Sequence, residues 1–299
     1  MQSSVSKKKK LTRAGVEGIL FVLPYGTLWL LFLFLPLLFG FFISLHKWNP
    51  LVGNVFIGLE GYGELLRTPR FWNSFWVTWR FVLMVIPGIV LVGLMAALAL
   101  HSKLVWGTQL FESLIFFPYL LNVSIVSILW GLLHDPDVGI LFQFLKRMGI
   151  VTTPLLNHEF WVLPMVAFTT IWWLAGYRMV VFRAALASFP AELYEAAKLD
   201  GAGPLRTFFA ITLPLLKPTL LFTLVLTTVG GMRTFGQVIL MTAGGPGTSS
   251  EVLALYMYRV GFEFLDFGRA AAVGFILFLM IFLLVLVLLR FFRLGSEMR

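Results

Sequence analysis

Six stretches of this sequence run on with almost no charge, and nothing else about it limits the fold so tightly. A membrane-spanning helix needs about 20 mostly apolar residues. Gly18 to Leu45 is one such run. Phe81 to Leu100 lies between Arg80 and His101, and Ser113 to Leu133 lies between Glu112 and His134. Phe160 to Tyr177 continues past Arg178 to about Ala187, and Pro218 to Met232 reaches span length only by running on past Arg233. Ala270 to Leu289, between Arg269 and Arg290, is the sixth. Backbone polar groups in lipid must be satisfied inside their own segment, which restricts runs of this length to helices. The expected fold class is therefore all-α, a polytopic membrane protein with six transmembrane helices. Composition agrees: 12% of residues are charged, against about 25% in soluble domains.

The same arithmetic removes several chemistries. With no cysteine there is no disulfide and no thiolate metal site. His46, His101, His134 and His158 are scattered singly, without ligand spacing. A membrane enzyme needs a nucleophile–base set or metal ligands; there is no H-E-x-x-H and no intramembrane aspartate pair. A secondary transporter coupled to protons or sodium calls for acids within the spans, and none lies in the six runs.

The first run follows Lys7 to Lys10 and Arg13. It is longer than the roughly 7–15 apolar residues of a secretory signal and has no small-x-small cleavage site, so it is expected to be retained. Six spans put both termini on one side. The termini and even loops hold Lys7 to Lys10, Arg13, Lys103, Arg183, Lys198, Arg206, Lys217, Arg290, Arg293 and Arg299, and by the positive-inside rule they face the cytoplasm. The lysine run is read as a topology signal and anionic-lipid contact, not as a nucleic-acid patch.

The outer loops are short. His134 to Glu159 holds an amphipathic piece, Ile140 to Met148, and Met241 to Arg269 opens on the turn signal Thr242-Ala243-Gly244-Gly245-Pro246-Gly247. The inner loop from Arg183 to Lys217 is different. Pro190 suits the first position of a helix, Glu192 and Glu195 suit its first turns, and Leu193, Ala196 and Ala197 supply an apolar face. Asp200-Gly201 ends it, Gly201 being suited to a left-handed residue. Pro204 starts a second helix with Leu205, Phe208, Phe209 and Leu213 on its apolar side, and Pro214 and Pro218 are expected to break or kink the chain before span five. The helix can insert into a groove on a partner or lie flat on lipid; its small residues favour close protein contact, and both readings stay open at this point.

Glu195-Ala196-Ala197-Lys198-Leu199-Asp200-Gly201-Ala202, followed at the right spacing by Ile211-Thr212-Leu213-Pro214, resembles the EAA loop of the membrane subunits of binding-protein-dependent ABC importers. Leu240 to Pro246, with Tyr256 to Phe267-Gly268, is similar to the last outer loop of carbohydrate importers, in the first-permease subtype of maltose and glycerol-phosphate systems. The resemblance implies a type I importer permease fold: a basic cytoplasmic N-terminus at 1–17, a first helix at 18–45 that wraps a partner subunit, a five-helix core at 75–293 with the coupling loop at 188–217, and a cytoplasmic tail at 294–299. It implies a heterodimer with a second permease subunit, two ATPase subunits, an extracytoplasmic binding protein, a sugar as substrate, and residence in the cytoplasmic (inner) membrane with no nucleic-acid partner. ATP and Mg would sit on the ATPase, with no cofactor on this chain. The sequence agrees, because it has no G-x-x-x-x-G-K-[ST] phosphate loop.

Glu195, Ala196, Ala197, Asp200 and Gly201 are then the ATPase-coupling residues. Tyr177 corresponds to a sugar-contacting tyrosine of the maltose-type subunit, and Thr227, Gly230, Gly231 and Thr234 to other sugar-facing positions. Glycines replace an aromatic and an amide there, which implies a wider pocket. Trp173 can stack on a sugar ring, and Gln237 is a polar candidate. Arg233 and, less so, Arg178 are intramembrane cations that can reach a cavity and bond hydroxyls, a phosphate or a carboxylate. An importer of a glycerol phosphate or anionic sugar, and a stand-alone secondary transporter, are the alternatives.

Overall fold

The computed structural model describes residues 13–102 and 107–297. Lys7 to Lys10, Lys103 and Arg299, which carry much of the expected topology signal, lie outside the described residues.

The chain opens with α1 (Arg13–Trp29) and α2 (Leu35–Ser44), joined by a π turn at Leu30–Phe34. The wider turn precedes Pro36 and gives its ring room against the preceding turn. A hairpin of β1 (His46–Asn49) and β2 (Gly53–Phe56) follows, paired His46 to Phe56 and Asn49 to Gly53. Next come α3 (Glu60–Arg67), the long α4 (Pro69–His101), α5 (Thr108–Phe116), α6 (Val123–Leu133), α7 (Ile140–Arg147) and α8 (Val162–Ala187). The remainder is α9 (Ala191–Leu199), α10 (Pro204–Thr207), α11 (Leu213–Met232), α12 (Gly236–Met241), α13 (Leu253–Tyr258) and α14 (Phe267–Glu297). Five helices are long and apolar enough to cross a membrane, and six if the bent pair Thr108–Leu120 and Val123–Leu133 counts as one. The expected all-helical membrane fold is borne out, with one short hairpin added.

Helices α4 and α8 form the most extensive interface. Phe81, Val85, Ile89 and Ala97 are buried along α4 at multiples of four residues, the spacing that keeps side chains on one helical face. Between them, Gly93 lets the backbones meet: a Cβ there would stand 2.8 Å from Cβ of Arg178 and 3.2 Å from the carbonyl of Ala175. Small residues at a crossing are what lipid favours, because association there rests on close packing and not on the hydrophobic effect. The core divides along this axis. Phe81, Val85 and Ile89 pack with Val166, Leu253, Leu255 and Val273 toward the hairpin end. Leu94, Ala97 and Leu100 pack with Met179, Phe182, Leu186 and Leu216 toward the α9 end. The outward faces of α1, α4 and α14 present Phe21, Leu83, Leu91 and Phe282 uncovered.

Several details differ from the sequence-based expectations. The third run is not one straight helix: it bends by 98° between Leu120 and Val123. Pro118 sits in a 3-10 turn, Leu121 and Asn122 are extended, and Asn122 caps α6 by accepting from the Ser124 N–H at 2.9 Å. Span five does not gain its length beyond Arg233. Arg233 caps α11, and the span is Pro204–Met232. Pro214 and Pro218 therefore do not break it, since a π turn at Phe208–Thr212 takes up Pro214 as the earlier one takes up Pro36. The second helix of the inner loop is accordingly the first turn of span five. Pro190 is extended (ψ 127°) and caps α9 instead of starting it. Helix α7 forms as expected, ending at Arg147.

Candidate functional site

At the α9 end, local chemistry shapes the loop. Asp200 caps the helix and Gly201 adopts φ +73°. The Gly201 N–H donates to the Lys198 carbonyl at 3.1 Å and the Ala202 N–H to the Ala197 carbonyl at 2.9 Å. This pair of bonds is a Schellman closure, which needs a left-handed residue where Gly201 stands. Ala197 is buried against the body, and the Tyr194 hydroxyl lies 3.3 Å from that of Thr212. Glu195 and Ala196 are exposed. Of the apolar face expected at Leu193, Ala196 and Ala197, only Ala197 is covered by this chain. Leu199 is 90% exposed and Leu205 75%.

Near the middle of the bundle, a cavity of about 230 Å³ opens between α4, α6, α8, α11 and α12. Its lining includes Trp173, Thr227, Gly230, Gly231, Thr234 and Gln237, six of the eight residues expected on a substrate pathway. Trp173 is tied at its polar end, donating to the Leu121 carbonyl at the bend at 3.0 Å, while its ring faces the cavity. The Thr170 hydroxyl lies 2.7 Å from both the Val166 carbonyl and the Gln237 carboxamide, and its single proton serves one of them, while the other end of the amide faces the Met241 sulfur at 3.6 Å. Nothing stands within 4 Å of where a Cβ on Gly230 would be, so the glycine leaves open space.

The structure does not bring Tyr177 and Arg233 to this lining. Tyr177 stacks on Tyr119, with ring centroids 4.8 Å apart. Arg233 lines a separate apolar groove of about 630 Å³ between α2, α13 and α14, with Phe235 between the two spaces. Arg178, ranked below it, is the arginine that lines the cavity. The signal was available: Thr170, Trp173, Leu174 and Arg178 follow helical spacing along one face. Thr170 carries no local signal, as a threonine in an apolar run.

A second cluster was not foreseen. Glu251 is fully buried in the loop between α12 and α13. Arg70 grips both its oxygens at 2.8 Å, Ser74 donates at 3.2 Å, and Arg259 also bonds it. Burial would push this carboxyl up, but hydrogen bonds and charge from Arg70 and then Arg259 hold it below the ordinary range.

A helical bundle with a cavity between its spans and an uncovered helix at one end has the layout of a membrane transport subunit. Among the described residues, no three His, Cys, Asp or Glu side chains group as metal ligands. The comparisons with known proteins make the class specific. Residues 66–294 match the family "Binding-protein-dependent transport system inner membrane component". The chain is 30% identical to the trehalose/maltose transport system permease protein MalF of Thermococcus litoralis, covering 99% of this chain and 100% of that one. It is 32% identical to the sn-glycerol-3-phosphate transport system permease protein UgpA of Shigella flexneri, covering 96% and 97%. A crystal structure of a bacterial ABC transporter involved in import of the acidic polysaccharide alginate shares the fold, with a TM-score of 0.78 at 23% identity over 94% of this chain and 96% of that one. The chain belongs to the binding-protein-dependent inner membrane components: it is a multi-pass permease of an ABC transporter, and ATP hydrolysis resides on a partner ATPase.

Proposed function

We infer that this chain is the first of two permease subunits in an importer that takes a sugar or a glycerol phosphate from an extracytoplasmic binding protein into the cytoplasm. Both termini and α9 face the cytoplasm, in keeping with the lysine and arginine distribution. Helix α9 docks into a cleft on an ATPase subunit, with Glu195 as its main polar contact, Ala196 and Ala197 allowing close approach, and Asp200 and Gly201 setting the exit of the chain. The observation that carries this reading is the Schellman-closed helix that leaves Glu195, Leu193 and Leu199 uncovered. An apolar and acidic end of this kind is completed by another chain.

The cavity lined by Trp173, Thr227, Gly230, Gly231, Thr234 and Gln237 is this subunit's half of the pathway. Tyr177 acts from behind it, through Arg178. The names of the relatives support a sugar or glycerol-phosphate substrate.

The test is ATP hydrolysis by the complete complex in vesicles, with and without ligand-loaded binding protein. Wild type should be stimulated by one ligand of a sugar and polyol panel, and Glu195→Ala should lose that stimulation. Wild-type behaviour of Glu195→Ala would remove α9 as the coupling element.

A further inference from the structure

Four arginines of this chain are paired with acids. Arg70 and Arg259 pair with Glu251, Arg183 with Glu112, and Arg269 with Glu64 and Asp266. Arg178 stands inside a membrane span, where an unpaired cation is most costly, yet among the described residues no carboxylate reaches it and no hydrogen bond is made to its guanidinium. Its Nε is buried without a partner. Its guanidinium lies over the Tyr177 ring, 5.0 Å from Cζ to the centroid, and Tyr177 is in turn fixed by stacking on Tyr119. Gly93 of α4 packs closely against the root of the side chain. The guanidinium is thus held from one side and left open to the cavity.

The rest of the lining brings no counter-charge. Gln237 shares a hydrogen bond with the Thr170 hydroxyl, which also sits 2.7 Å from the Val166 carbonyl. No aspartate or glutamate lines the cavity. The cavity therefore presents one unpaired cation among threonine hydroxyls, glycines and apolar side chains.

We propose that Arg178 reads a negative charge on the transported molecule, so that the substrate is an anionic sugar or polyol derivative carrying a carboxylate, sulfonate or phosphate. The proposal rests on the importer reading and deepens it. A guanidinium suits planar or tripodal oxyanions because its N–H groups are fixed in a fork.

The experiment uses the complete complex in vesicles and measures both binding-protein-stimulated ATP hydrolysis and uptake of labelled ligands in matched pairs: glycerol with glycerol 3-phosphate, glucose with glucuronate, and a neutral disaccharide with its uronate counterpart. Wild type should take up the anionic member of a pair. Arg178→Gln should lower that uptake about tenfold to a hundredfold, the scale of a hydrogen bond to a charged group. Arg178→Lys should recover part of it. Uptake of only neutral members by wild type overturns the proposal while leaving the importer intact. Equal anion uptake by Arg178→Gln also overturns it. A thermal melt of the ligand-free complex guards against a structural role: if Arg178→Gln lowers the melting temperature while uptake and ligand choice hold, the arginine bridges the two permeases and does not read substrate. If no ligand-loaded binding protein stimulates hydrolysis in wild type, the importer reading itself fails and takes this one with it.

Discussion

Between α12 and α14 the chain is buried and bonded to itself, whereas between α8 and α11 it is exposed and bonded to little. Residues Ser250 to Tyr256 are all buried. Thr242 and Ser250 share a hydrogen bond at 2.8 Å, Asn73 donates to the Thr248 carbonyl at 2.8 Å, and the Leu253 N–H donates to Thr78 at 2.7 Å. The Glu251 cluster joins this loop to the start of α4. Along α9, by contrast, Ala197 is the one buried residue and Tyr194 makes the one side-chain bond back to the body. Loops of similar length thus meet two different demands. The first finishes its own fold and holds three segments in register; the second has a backbone shaped by its own sequence and a surface left for another protein.

Breaking the buried end should cost most. Glu251→Ala leaves Arg70 without its carboxylate and Arg259 with Glu263 alone, at 3.7 Å; breaking a fully buried pair costs about 3–5 kcal/mol, and solvent around the 36% exposed Arg70 side chain reduces that here. Thermal unfolding of the purified chain in detergent should show a clearly lowered midpoint. A midpoint within experimental scatter would mean that the cluster is not the brace of this end.

Acid should sharpen the same point. Because the folded carboxyl of Glu251 lies below its ordinary 4.5, the folded state binds fewer protons than the unfolded chain as pH falls through that range. The stability it contributes is full above the unfolded value and is lost as pH drops toward the lowered folded value. Glu251→Gln should flatten the acid side of a stability–pH profile relative to wild type. An identical slope would assign the acid sensitivity to other groups.

The exposed end should respond less. Gly201→Ala meets open space, so its penalty is the left-handed backbone alone, about 1–2 kcal/mol, and it falls on the Schellman closure. Hydrogen exchange at the amides of Gly201 and Ala202 should speed up while the global midpoint moves little. Glu195→Ala should change stability least, within about 0.5 kcal/mol as for most exposed positions, even though it is the variant expected to uncouple ATP hydrolysis. A large loss of stability there would mean that Glu195 serves this chain's own fold.

What could be seen in the sequence divides along a similar line. The Gly201 closure was legible because its donors and acceptors all lie within six residues. The hairpin was half legible. Asn49-Pro50 and Gly53 are turn signals, and Asn49 does accept from the Leu51 N–H at 2.8 Å, but the flanking residues do not alternate. The bend at Leu121 escaped because bending changes no residue's hydropathy; Pro118 and Asn122 were its only marks. Arg178 and Arg233 looked alike in an apolar run, and only the packing of α8 and α11 sent one to the cavity and the other to the groove beside α2. Glu251 was unreadable, since its partner Arg70 lies 181 residues away.

By itself, then, the sequence determined that the chain crosses the membrane repeatedly and that one inner loop carries a helix closed by Gly201, because hydropathy and capping act over a few consecutive residues. Only the tertiary structure decided which arginine faces the cavity, which acid is buried between two arginines, and where the third run turns. Those outcomes depend on how helices rotate and cross, and close packing against distant segments sets that.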